Sequence, residues 1–371
     1  MKFILLVMCL TFGVATNALG QQAGSDWVNM NQKVIVLMRE GKNEEAIELS
    51  YKAIALAEEK VGPEHHDVAT SLMYLGYLQE RMKDDKGAAE SFARALAIRE
   101  KEYGKDHQYV RPSAEALATV YDRLNEPAKA EPLFVQCLAN AEKNEGADSL
   151  FAASAAHNLA VHYDRLNEYD KAAPLYERAV VLREKGLSAI HPAAAASQSN
   201  LANMYARKRD YAKAEEAYIR LLELRKKYLT DKHWMISSIE TSIGAMCLNQ
   251  GKLDAAESHY KRALALREAI EPEGYEVADS LTDLARIEIK RQNYDAAEAY
   301  VRRALTIRTK VFGPTHGNTL ISMMDLVSIY RAAGKESEAA EMEKQVQELK
   351  AEKPKDEADG QGQSPATNPA N

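Results

Sequence analysis

Leu201-Ala202-Asn203-Met204-Tyr205-Ala206-Arg207-Lys208-Arg209-Asp210-Tyr211-Ala212-Lys213-Ala214-Glu215-Glu216-Ala217-Tyr218-Ile219-Arg220-Leu221 decides the fold of this chain. Apolar or small residues at 201, 202 and 205 follow the spacing of one helical face, and those at 214, 218 and 221 do so again. Lys208-Arg209-Asp210 breaks the pattern between them. The stretch reads as helix, tight turn, helix, an αα-hairpin.

The hairpin is one copy of many. With Ala195 as position 1, Ala214 is position 20, and alanine stands at the same place in Ala46, Ala88, Ala130, Ala172, Ala256, Ala297 and Ala339. The step is 42 residues, with a single step of 41. A fixed period of this size means stacked copies of one supersecondary unit. Eight copies span residues 27–347. Position 8 is also small (Ala118, Ala160, Ala202, Gly244, Ala285), as expected where the two helices of a hairpin approach most closely. Position 11 (Tyr121, Tyr163, Tyr205, Tyr330) and position 24 (Phe92, Phe134, Tyr176, Tyr218, Tyr260) carry the bulk that fills the space beside them. Their spacing makes these aromatics core packing, not a cofactor box.

Composition agrees. Only 18 Gly and 11 Pro in 371 residues favour helix, and 46% hydrophobic residues supply a core. A net charge of −7 argues against a general nucleic-acid binder. Residues 1–20 read as a secretory leader: Lys2, an apolar run from Phe3 to Val14, and Ala18-Leu19-Gly20 as the cleavage site. The apolar run is short for a membrane span. Cleavage after Gly20 implies an exported protein, periplasmic or extracellular, with net charge about −8 once Lys2 is lost. The remaining Cys137 and Cys247 fall on core positions about two repeats apart, which favours buried thiols over a disulfide. Lys33 and Ser50 degrade the first repeat and Glu343 the last, as terminal caps do. Residues 351–371 have the composition of a disordered tail.

The series Leu159, Ala160, Tyr163, Ala172, Tyr176, Ala179 resembles the tetratricopeptide repeat. The 42-residue period, with Tyr176-Glu177-Arg178-Ala179 and Val61-Gly62-Pro63-Glu64-His65, resembles the kinesin light chain variety. That resemblance implies an all-α, right-handed superhelical solenoid of eight helix-turn-helix repeats, with helix A of each repeat lining a concave groove. It does not extend to motor transport, since the chain carries an export leader.

Chemistry is sparse. Glycine-rich phosphate loops, Gly-x-Ser-x-Gly elbows and His-Glu-x-x-His motifs are all missing from the sequence. His65, His107, His191, His233 and His316 share position 39 in the loop between repeats. Ligands one repeat apart cannot converge on one ion, so a turn or cap role is expected. His65 and His66 are adjacent, and two ligands alone make a poor site. No cofactor, catalytic residue or metal ligand is expected.

One polar row stands out. Position 13 holds Arg39, Arg81, Arg123, Arg165 and Arg207, then Asn249, Lys290 and Ala332. Once positions 4, 7, 8 and 11 pack inward, 2, 5, 6, 9, 12 and 13 form the leftover face of helix A. His157, Asn158, Asn200 and Asn203 share it. Asn158 and Asn200, at position 6, resemble the groove asparagine of peptide-binding family members, which bonds a ligand backbone. Two readings of the arginines stay open: pairing with acids such as Asp122 and Asp164 or with helix-end carbonyls, and holding an acidic ligand. The expected function is a non-enzymatic protein-interaction scaffold of the bacterial cell envelope. It would bind an acidic protein segment in a groove centred on repeats two to five, through Arg81, Arg123, Arg165, Arg207, Asn158, Asn200, Asn203 and His157. Self-assembly, a groove-located metal carrier or enzyme, and a tethering tail are the alternatives.

Overall fold

The computed structural model describes residues 23–187, 192–227, 229 and 233–352. The expected leader lies outside these residues, as do His191 and 353–371 of the expected tail; the last helix continues to Glu352. Contacts divide the chain into two compact units, Met1–Leu187 and Ser188–Asn371.

Each unit is a row of four helical hairpins. The first contains α1 (Ser25–Glu40), α2 (Asn43–Val61), α3 (His66–Arg81), α4 (Asp85–Tyr103), α5 (Arg111–Arg123), α6 (Pro127–Glu145), α7 (Leu150–Arg165) and α8 (Tyr169–Gly186). The second contains α9 (Pro192–Arg207), α10 (Tyr211–Lys226), α11 (Trp234–Asn249), α12 (Leu253–Ile270), α13 (Tyr275–Lys290), α14 (Tyr294–Phe312), α15 (Gly317–Ala332) and α16 (Glu336–Glu352). Odd helices are the A helices and even ones the B helices. Within a unit each helix packs on its chain neighbours, A on its own B and B on the next A. The fold is an all-α repeat solenoid, as the period implies.

The alanine lattice is the closest-packed line of each unit. Its eight alanines are all at most 1% exposed. Position 8 shows why it must be small. A Cβ on Gly76 would lie 2.4 Å from Phe92 Cε1, and one on Gly244 2.8 Å from Tyr260 Cε1. Both rings are buried, as are Phe134, Tyr163, Tyr176, Tyr205, Tyr218 and Tyr330, while Tyr121 is half-buried. The aromatic stripe is therefore core. Cys137 and Cys247 are free and buried thiols. Burial pushes both thiol pKa values up, Cys247 to about 11. The first repeat is held by Trp27, whose indole N–H donates to Ser71 Oγ at 2.9 Å.

Two loop devices repeat. Position 15, just past helix A, is left-handed in all eight repeats: Gly41, Lys83, Asn125, Asn167, Arg209, Gly251, Gln292 and Gly334. The next amide reaches back to a carbonyl five residues earlier, as in Lys42 to Leu37, Asp84 to Gln79 and Lys252 to Cys247. This is the Schellman closure, which satisfies orphan carbonyls and sets the angle between A and B. At the other end His65, His233 and His316 cap the following A helix, each Nδ1 accepting an amide N–H two residues on, and Ser149 Oγ caps α7 by accepting the Ala152 N–H three residues on. His107 Nδ1 accepts the Tyr109 amide at 3.3 Å. Of the turn or cap role expected of the loop histidines, His65, His233 and His316 take the cap and His107 the turn.

Candidate interaction surface

The A helices set the geometry. In the first unit the position-13 arginines reach back by one repeat. Arg81 donates to the Met38 carbonyl at 2.6 Å. Arg123 pairs with Glu80 at 2.5 Å and Asp85 at 2.9 Å. Arg165 stands 3.9 Å from Asp122 Oδ1 and is 41% exposed. Burial pushes the Glu80 carboxyl up, and Arg123 counters it. Arg39 and Arg207 are exposed. The first of the two readings of the row thus describes Arg81, Arg123 and, loosely, Arg165.

In repeats one, three and four position 12 does not lie on the open face, while Ile289 and Arg331 at the same position are exposed. Met38 and Asp122 are buried because the next A helix covers them, and Asp164 is buried too. Asp122 Oδ1 meets His162 Nδ1 of that helix at 2.7 Å, while Asp164 accepts from Tyr176 of its own hairpin at 3.2 Å. Exposure of positions 5 and 6 also changes along the chain. Met73 and Tyr74 of repeat two are buried, but His157, Asn158, Ser199 and Asn200 are half-exposed. In repeats six to eight Thr241, Ser242, Thr282, Asp283 and Asp325 are half-exposed and Met324 is exposed. The face expected to be centred on repeats two to five is closed in repeat two and open from repeat four onward.

Within that open face the side chains differ in how they are used. Asn203 Oδ1 accepts the Tyr218 hydroxyl at 2.5 Å. His157 sits 5.6 Å from the Tyr176 ring. Its pKa is lowered to about 3, first by burial and then by the Arg183 charge, so it meets a ligand as a neutral imidazole. Among the described residues the carboxamides of Asn158 and Asn200 carry no side-chain hydrogen bond. In the second unit the same face forms a cavity of about 250 Å³ between α13 and α15. Asp279, Arg286, Arg308, Phe312, Ile321 and Asp325 are among its walls. Arg308 is bound to Asp279 at 2.7 Å and Ser322 at 2.6 Å. Arg286 is bound to Asp283 at 3.0 Å. Burial pushes the Asp325 carboxyl up, against the nearby charges of Arg286 and Arg308.

A second arginine row went unread in the sequence. Position 31, on helix B, holds Arg99, Arg183, Arg225, Arg267 and Arg308. Arg99, Arg267 and Arg308 donate to Ser113, Ser280 and Ser322 at position 3 of the following repeat, at 2.9, 2.7 and 2.6 Å. Arg183 reaches Ser154 of its own repeat at 3.4 Å. Its pKa is lowered to about 10 by burial. The 42-residue recurrence was the available signal.

These features have the period and geometry of a known repeat. Tetratricopeptide repeat models match residues 28–101, 87–143, 193–269, 235–310 and 276–352, and a second such model matches 152–193. The chain belongs to the tetratricopeptide repeat family. Solved structures share the fold. Kinesin light chain tetratricopeptide-like repeats from Podosopora anserina are 24% identical, over 53% of this chain and 94% of that one, with a TM-score of 0.47. BtubC (BKLC) from P. vanneervenii is 19% identical over 65% and 92%, with a TM-score of 0.51. The apo form of RapI is 18% identical over 77% and 99%, with a TM-score of 0.52. No curated protein sequence matches the chain. Proteins of this family generally mediate protein–protein interaction and scaffolding. Among the described residues no helix is long and apolar enough to cross a membrane.

Proposed function

We propose that this protein is a non-enzymatic scaffold of the bacterial cell envelope that holds a segment of a partner protein on the open A-helix face. The observation that carries the reading is the pair Asn158 and Asn200. They share position 6, are half-exposed, and have unspent carboxamides amid charged groups that are mostly paired within the chain. A carboxamide offers a donor and an acceptor together, the match for a peptide unit. In the first unit His157 lies beside Asn158; in the second Asn203 is on the helix of Asn200, and the cavity between α13 and α15 is a pocket for a side chain. Arg81 and Arg123 chiefly join repeats. Arg165, the most exposed of the three, and Arg207 are where an acidic residue of the partner would dock. Export through the leader, with cleavage after Gly20, brings the scaffold to the envelope.

A photo-crosslinking residue placed at Asn158 or Asn200 in native cells tests the reading. One defined adduct is expected at each, abolished by Asn→Ala at the other site, with the same residue at exposed Val181 on α8 as the comparison. A partner joined at Val181 but at neither asparagine would remove the A-face from the proposal. The purified protein should begin at Gln21, and an intact Met1 in the envelope fraction would overturn the export reading.

A further inference from the structure

The loop joining α2 to α3 differs from the others. At its end His65 is followed by His66 and Asp67, whereas His107, His233 and His316 are followed by Gln108, Trp234 and Gly317. One ring nitrogen from each histidine and a carboxylate oxygen of Asp67 lie within 4.8 Å of one another. His65 Nδ1 is 3.5 Å from Asp67 Oδ2, and His66 Nε2 is 3.5 Å from Asp67 Oδ1. Donor atoms about 2 Å from one ion in tetrahedral array stand at comparable separations.

The His66 ring is already set as a ligand. Its Nδ1 lies 2.8 Å from Glu102 Oε1 of α4, which holds the proton on that nitrogen. Nε2 is then left as a lone pair, and that atom is buried with no hydrogen-bond partner. A carboxylate behind a histidine is the arrangement that orients metal-bound imidazoles and raises their basicity. The Asp67 side chain is 3% exposed and accepts Ala23 N–H at 3.0 Å; the two imidazole nitrogens face it with lone pairs, and His65 Nδ1, which accepts the Asp67 amide at 3.2 Å, would exchange that bond for the metal. A desolvated carboxylate beside two imidazoles gains from a dication that both can share.

We propose that His65, His66 and Asp67 bind one divalent transition-metal ion of the zinc class, with Glu102 orienting His66. Two imidazoles and a carboxylate suit zinc and leave its fourth position to water. This site is independent of the partner-binding face.

The test is zinc titration of the chelator-treated, full mature chain by calorimetry, with metal content measured after dialysis. About one zinc per chain is expected, together with a rise in melting temperature. His66→Gln should weaken binding by more than tenfold, and Glu102→Gln by about 10–100-fold. His65→Asn keeps a good helix cap, so it should lose zinc while melting like the wild type in chelator. Glu102→Gln separates ligation from fold, since it removes no ligand. No zinc uptake by the folded chain would overturn the proposal. So would uptake by His66→Gln or His65→Asn equal to the wild type, which would assign the metal to other histidines.

Discussion

Gly251→Ala isolates what the left-handed residue between helices A and B contributes. Gly251 has φ 76°, and a Cβ built there meets nothing within 4 Å. The effect of the substitution is therefore conformational. A β-carbon in the left-handed region costs about 1–2 kcal/mol. Removing glycine's freedom from the unfolded chain returns about 0.4–1 kcal/mol. The net loss is about 1 kcal/mol, a fall of about 2–4 °C in melting temperature for a unit of this size. Gly251→Asn is the matched control, since Asn125 and Asn167 hold the same position at φ 59° and 60°. It should lose no more than a few tenths of a kcal/mol. Lys83, at φ 62°, offers the reverse: Lys83→Gly should raise the stability of the first unit by about half to one kcal/mol. Urea denaturation followed by helical circular dichroism reads all three. If Gly251→Ala is as stable as the wild type, or if Ala and Asn cost the same, position 15 is not under backbone strain and the reasoning fails.

Three further expectations rest on packing and charge. Gly76→Ala should destabilise the first unit although alanine is the better helix former, because the Phe92 ring must move; overpacking of about 1–3 kcal/mol exceeds a helix gain of about 1 kcal/mol, and Phe92→Leu in the same chain should restore stability. Arg123→Gln should cost about 0.5–1 kcal/mol at neutral pH, read by denaturation, and the loss should shrink in acid as Glu80, whose carboxyl is pushed up by burial, protonates. Glu115 is pushed up to about 6 by burial, against the pull of Arg111 and with a push from Glu145. The folded chain thus holds that proton more tightly than the unfolded one, and stability from this group falls as pH rises from the ordinary carboxylate range through 6. Glu115→Gln should leave melting unchanged in acid and raise it above pH 6 by up to about 2 kcal/mol, and an equal effect at both ends would exclude the linkage.

How much of this was legible depends on where a residue's partner sits. Ala214 and Tyr218 could be read because their neighbours belong to the same hairpin, and a period of one helical turn exposes them. The left-handed position was readable at Gly41, Asn125, Asn167, Gly251 and Gly334, whose residue types favour it. It was not readable at Lys83, Arg209 or Gln292, where the packing of two helices overrides local preference. Asp122 was assigned to the open face because counting within one repeat cannot see His162 arriving from the next. Arg99 and Arg308 went unread for the same reason: their serine partners belong to the next repeat. His65-His66 looked two-handed until Asp67 and, from 36 residues further on, Glu102 were brought beside it.

The polar contacts between repeats do have a sequence rule, though not the period itself. Arg94 with Glu58, Gln136 with Glu100, and Arg178 with Glu142 are all 36 residues apart, joining position 26 of one B helix to position 32 of the B helix before it. Arg303 with Glu268 repeats the pair across the single short step, at 35. Each is a partly exposed contact of small value, but a row of them fixes the offset between successive hairpins. Two rungs depart from the rule. Between the seventh and eighth repeats it is Thr309 with Gln345, both uncharged. Position 32 of the fifth repeat is Lys226, with Arg262 at position 26 of the sixth, two cations where the four paired rungs place an acid. Lys226 turns to buried Glu240 at 3.6 Å, and His259 holds the same carboxylate at 2.7 Å. Burial opposes the charge on Glu240, but these bonds hold its pKa below the ordinary value. The rung lost on the surface is thus replaced by a carboxylate between α11 and α12. At this interface the charge is neutralised by different residues, and a reading by period alone finds only the rungs that keep their place.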